Sequence, residues 1–170
     1  MKSVNFEILR DGWPELAGLG AFAEAYAHAD PASALVKLRL FAENLTKDIY
    51  RELRLPKPDL PTFVDLLKND AFIAITPKVV LDKLHALRMH GNKAAHGEPV
   101  RSQHALWLLK EARDLARWMC VRYGKAKADQ LPAFHQPGIP GQVEERERRQ
   151  VLEKLAAQEA QMDALLSELE

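Results

Sequence analysis

Cysteine is nearly absent: Cys120 is the one thiol in 170 residues. No internal disulfide can form, and a reducing, cytoplasmic setting is the natural reading. No apolar run of about 18 residues exists, so no membrane-spanning helix and no membrane partner are expected. The start, MKSVNFEILRDGW, lacks the apolar centre of a signal peptide. Charge of one sign is not in excess either, with 24 Lys+Arg against 24 Asp+Glu. What is present is ordinary globular composition: 47% hydrophobic and 28% charged residues exclude wholesale disorder and collagen-like or low-complexity classes. The even sum hides an asymmetry, because residues 131–170 hold 4 Lys+Arg and 8 Asp+Glu. The body is therefore mildly basic and the tail acidic, too weak a bias to mark a dedicated nucleic-acid binder.

Helical spacing runs through most of the chain. Pro14 suits a first helical position, and Leu16, Leu19, Ala23 and Tyr26 repeat at helical intervals to about Ala29. Gly18 and Gly20 weaken that helix or let a neighbour approach. Asp30-Pro31 is a cap followed by a starting proline. Leu35, Leu38, Ala42, Leu45, Ile49 and Leu53 then form the strongest apolar stripe in the sequence, ending near Leu55 before Pro56–Pro61. Thr62 opens a short helix with Phe63, Leu66 and Leu67. Thr76-Pro77 opens another, with Val80, Leu84 and Leu87 up to His90. Gly91-Asn92 reads as a helix end or tight joint. Ser102 caps a long helix to about Tyr123. Phe72–Ile75 and Val79-Val80 are too short to build a sheet. The expectation is an all-α bundle of about five helices over residues 1–128, a Pro/Gly linker over 129–142, and a coiled-coil-like helix over 143–170.

In that last segment Leu152, Glu159 and Leu166 form one seam position and Leu155, Met162 and Leu169 the other. Five of these six are apolar, over about two and a half heptads. Self-association through 143–170 is one expectation. An abrupt stop at Glu170, without capping glycine or basic last turn, suggests a chain cut inside a longer helix.

Periodicity does not account for the residues at 84–98, LHALRMHGNKAAHGE. Arg88, His90, Asn92 and His96 gather at a helix end. Arg39 and Glu43, four apart on the second helix, border its apolar stripe. An arginine beside a core face needs a partner. Arg39, Glu43, Arg88, Asn92 and His96 are therefore expected to form one structural polar cluster that pins two helices together.

The run Leu87-Arg88-Met89-His90-Gly91-Asn92-Lys93-Ala94-Ala95-His96 resembles the signature of a helical domain at the N-terminus of type I restriction endonuclease R subunits. Asn5–Leu9, Ala23–Tyr26, Asp30-Pro31, Lys37–Glu43 and Leu115–Trp118 match in the same order, so the likeness covers roughly residues 3–125. It implies a parent protein that uses ATP and Mg, translocates DNA and cuts it. This segment would be a non-catalytic module docking to the rest of the R subunit and to modification and specificity subunits, touching DNA through the parent complex. The sequence itself has no GxxxxGK[ST] phosphate loop, so no cofactor is expected in it. The pattern is also similar to the wider HEPN superfamily, some of whose members are ribonucleases in which an Arg and a His sit apart by roughly four to six residues, the His as general acid/base and the Arg against phosphate. That likeness makes Arg88 and His96 the alternative catalytic pair. Seven residues separate them here and Met89 follows the arginine, where a polar residue stands in that pattern. A free-standing helical oligomerisation protein is a third reading.

Other residues read as structural. With no Cys or carboxylate at ligand spacing, His85, His90, His96 and His104 suggest no metal site, and His90 and His104 read as solvated. Cys120 reads as a small buried hydrophobe. Trp107 and Trp118 read as core. Arg113, Arg117, Arg122, Lys125 and Lys127 read as a solvated face, or else as a stripe for DNA phosphates.

Overall fold

Pro14 takes the first position of α1 (Pro14–Tyr26), where its missing N–H removes nothing the helix uses. Asp30 caps α2 (Pro31–Leu53); its carboxylate accepts from the Ser33 N–H at 3.1 Å and from the Ser33 hydroxyl at 2.6 Å. Thr62 and Asp65 close a capping box at the head of α3 (Phe63–Lys68). α4 (Asp70–Ile75), α5 (Lys78–Ala95), α6 (Ser102–Arg122) and α7 (Pro140–Leu169) follow, with 3-10 turns at Glu7–Leu9 and Ala128–Gln130. This computed structural model describes residues 1–169, without the side chains of Pro140, Val143 and Glu144. The expectation tied to Glu170 lies outside the described residues. Among those residues no strand forms, and the all-α expectation holds.

Several boundaries differ from those expected. α2 stops at Leu53, before the prolines, because Arg54 turns into the left-handed region at φ 51° and its N–H closes on Tyr50 and Arg51. Phe72–Ile75 belongs to a sixth body helix, α4. α5 runs straight through Gly91-Asn92 to Ala95. Ser102 is the first residue of α6 and not its cap; its hydroxyl donates to the His28 carbonyl at 3.4 Å.

The core lies where α2 packs between α1, α5 and α6. Leu35, Leu38, Phe41, Ala42, Leu45 and Ile49 of α2 are all fully buried, each large side chain contributing about 2 kcal/mol by leaving water. Phe6, from the lead-in, packs edge-on to Phe41 at 5.6 Å and lies against Gly20, where a Cβ would sit 2.3 Å from its ring. Tyr50 stacks on Phe72 at 5.4 Å and donates to the Leu66 carbonyl at 2.5 Å, which fixes α3 and α4 against α2. Lys83 of α5 reaches Glu111 at 2.7 Å and Asp114 at 3.3 Å on α6.

The segment expected as a linker from 129 is in large part a strap on the body. The chain divides into two units, Met1–Pro137 and a second from Gly138 onward. Asn5 is the principal fastening. Its amide donates to the His135 carbonyl at 2.8 Å, and its carbonyl accepts the His135 N–H at 2.8 Å. Glu24 holds Asn5 in place, accepting from its amide at 2.6 Å and from the Val4 and Asn5 N–H groups at 2.9 Å. His28 Nε2 meets the Pro137 carbonyl at 2.7 Å. Arg113 and Arg117 donate to the Pro132 and Ala128 carbonyls at 2.6 and 3.0 Å. Leu131 and Phe134 pack on the core. The second unit is α7 itself, whose Leu152, Leu155, Met162, Leu166 and Leu169 are all exposed.

Candidate functional site

The sequence singled out the α2–α5 joint, and its geometry starts from a glycine. Leu84, Leu87, Gly91 and Ala94 are buried on one side of α5. Opposite Gly91 stands Arg39 of α2. A Cβ at Gly91 would lie 2.3 Å from Arg39 Cβ and 3.0 Å from the Leu35 carbonyl oxygen. Only glycine lets the two backbones come this close. The Arg39 stem therefore lies across Gly91, and its head meets the next residue: Nε donates to Asn92 Oδ1 at 2.5 Å. Nη1 donates to Glu43 Oε2 at 3.0 Å, and Lys47 sits 3.4 Å from the other Glu43 oxygen. The guanidinium also stands 5.7 Å from the Phe63 ring centroid. With side chains 29% and 18% exposed, the Arg39–Glu43 pair is half-buried and shielded on one side.

Two of the five residues expected in this cluster are elsewhere. Arg88 points to its own helix neighbour, Nη2 standing 3.3 Å from His85 Nδ1, and its buried Nε has no partner. It lies one helical turn before Asn92, on the same side of α5, yet among the described residues it makes no hydrogen bond to Glu43 or Asn92. Burial and the adjacent Arg88 charge hold the His85 imidazole below its ordinary pKa, which keeps Nδ1 an acceptor for that arginine. His96 is exposed at the end of α5. Its backbone N–H closes on the Asn92 and Lys93 carbonyls, and its imidazole makes no hydrogen bond among the described residues. The interlocking set is thus Arg39, Glu43 and Asn92, with the guanidinium supplied by α2 and not by Arg88. It contains no imidazole, and Arg39 bonds both of the other two side chains. Its chemistry is that of a clamp.

His90 and His104, expected to be solvated, contact each other instead. Their rings meet edge to face at 4.5 Å, and His104 stacks on Trp107 at 5.8 Å. Burial pulls the His90 pKa down, and the neighbouring His104 adds to the effect. Trp107, expected in the core, is 47% exposed, while Trp118 packs at the core edge. Cys120 is buried as expected; its thiol lies 3.2 Å from the Ile8 carbonyl, and burial pushes its pKa up, away from thiolate chemistry. Among the described residues no group of three or more His, Cys, Asp or Glu is placed to hold a metal ion. No described helix is long and apolar enough to cross a membrane.

Arg113 departs furthest from expectation. It is 3% exposed and covered by the strap, so it belongs to no open basic stripe. Its position carried a signal: Leu109, Arg113, Ala116 and Cys120 fall at core spacing along α6. Asn5 gave no comparable signal, since a lead-in has no period to break.

Residues 22–133 match the family DUF4145, described as a domain of unknown function. The matched stretch runs from the middle of α1 through α6 into the strap. Searches of curated proteins and of solved structures each found no match. The match spans more than half of the chain, and the chain belongs to the DUF4145 family.

Proposed function

We propose that this chain is the N-terminal helical module of a type I restriction enzyme R subunit, that it performs no chemistry itself, and that it serves assembly. The observation that carries the reading is the Arg39–Asn92 bond across Gly91. Of the residues that carry the resemblance, Arg39, Glu43, Gly91 and Asn92 serve to join two helices. The parent's ATP and Mg would be handled by other parts of the protein, since this sequence has no phosphate loop. Its contacts would be with the rest of the R subunit and with modification and specificity subunits, in the cytoplasm, where a lone buried thiol is at home.

The test is direct. The purified chain should hydrolyse neither ATP, DNA nor RNA. Immobilised, it should retain recombinant modification and specificity subunits encoded beside it. A gene neighbourhood without such subunits sinks the proposal.

The HEPN-type ribonuclease reading receives less support, because Arg88 is engaged with His85 and His96 stands apart. It requires RNA cleavage that His96→Ala abolishes with the fold intact. Association through α7 has one observation in its favour, the exposed Leu152, Leu155, Met162, Leu166 and Leu169 side chains. Sedimentation of the chain with and without residues 143–170 decides it; an unchanged association state removes the idea.

A further inference from the structure

Arg113 is a buried cation without a counter-ion. It is 3% exposed, its Nη2 donates to the Pro132 carbonyl at 2.6 Å, and its Nε has no partner. No carboxylate forms an ion pair with it among the described residues. The neighbouring Asp114 is committed to Lys83 and Lys110. An unpaired guanidinium withdrawn from water is strongly disfavoured unless an anion completes it. Of its five N–H donors, the protein engages one. Arg117, one turn on, is likewise without an ion pair and donates to the Ala128 carbonyl at 3.0 Å.

Both arginines line a cavity of about 390 Å³ between α6 and the strap, together with Lys110, Asp114, Asp129 and Phe134. That volume suits a small ligand. Two forked guanidiniums match the oxygens of a dianion better than a single carboxylate, and the Lys110 ammonium beside them is shared with Asp114.

We propose that this cavity binds a small phosphate-bearing anion, with Arg113 beneath it, Arg117 and Lys110 beside it and Phe134 next to any organic substituent. The site is separate from the α2–α5 clamp, and it stands or falls independently of the restriction-enzyme reading. The strap roofs the cavity, so a bound anion also joins the strap to α6.

Calorimetry and thermal shift on the full chain test it, using inorganic phosphate and phenyl phosphate, with sodium chloride and sodium acetate at matched ionic strength. Both phosphates should bind saturably and raise the melting temperature beyond the salt controls. Arg117→Gln, at an exposed position, should keep the fold and weaken phosphate about tenfold, the scale of one lost charged hydrogen bond. Arg113→Met should abolish binding. Arg122→Gln, on the same helix but away from the cavity, should bind as wild type. Tighter binding of phenyl phosphate that Phe134→Ala reverses assigns the ligand an organic part; equal affinities assign the phosphate group alone. Shifts no larger than chloride gives, or equal weakening by Arg122→Gln and Arg117→Gln, overturn the proposal. An oligonucleotide lacking terminal phosphate that binds with the same dependence on Arg117 also overturns it.

Discussion

Glycine and arginine trade on opposite properties at the α2–α5 joint, and substitutions there separate them. Alanine at a helical position is favoured over glycine by about 1 kcal/mol. At Gly91 the new methyl would meet Arg39 Cβ and the Leu35 carbonyl, neither of which is the free end of a flexible chain. Overpacking of this kind costs about 1–3 kcal/mol, and losing the Arg39–Asn92 bond adds to it. Gly91→Ala should therefore destabilise by about 2 kcal/mol, lowering the melting temperature by about 8 °C. A neutral or stabilised variant would mean that the helices do not touch there. Arg54 is the converse case. It is exposed, yet holds φ at 51°. Arg54→Gly should relieve about 1 kcal/mol and raise the melting temperature by about 4 °C.

Among elements, the strap answers most directly to mutation. Asn5 is 1% exposed and exchanges two hydrogen bonds with the His135 peptide. Asn5→Ala should cost about 2 kcal/mol. It should speed hydrogen exchange at the His135 amide and proteolysis within 128–137, while α2 and α5 amides stay protected. Equal loosening everywhere would show that Asn5 supports the whole core and not the strap alone. The helices themselves were legible from capping and spacing: Asp30-Pro31, Thr62 and the α2 stripe placed α2 and α3 to within two residues. The strap was not, because its fastenings are backbone carbonyls, which every sequence has, met by side chains up to 130 positions away. Gly91 misled for a related reason. Glycine after an apolar run commonly ends a helix, whereas here it falls on the buried spacing of α5 and marks a contact. Of the expected cluster, Arg39 and Glu43 came together because four-residue spacing puts them on one side of α2, and Asn92 joined them because Gly91 brings α5 against Arg39. Arg88 and His96 did not, since their neighbours depend on how the two helices cross.

For the body as a whole, acid should act in two stages. His85 and His90 have pKa values held below the ordinary 6.5, chiefly by burial. Below 6.5 the unfolded chain takes up protons that the folded chain declines, so stability falls as pH drops from 6.5 through the lower folded values, and is level above. Glu7 acts in the same sense at lower pH. Its hydrogen bonds to Arg10 hold its carboxyl at about 2, so its contribution is complete above 4.5 and disappears toward 2. Melting temperatures from about pH 7.5 down to about pH 3 should trace both limbs. His90→Gln should make the first limb shallower, leaving the His85 share, and should not change the second; a first limb unchanged in that variant would assign it to other groups. The Asn5–His135 pairing has a topological consequence too. It brings the entry and exit of the body side by side, so the polypeptide traces a nearly closed ring. Circular permutation should therefore be tolerated: a short peptide joining residue 137 to residue 1, with new ends opened in the exposed 56–61 loop, should leave the helices in place.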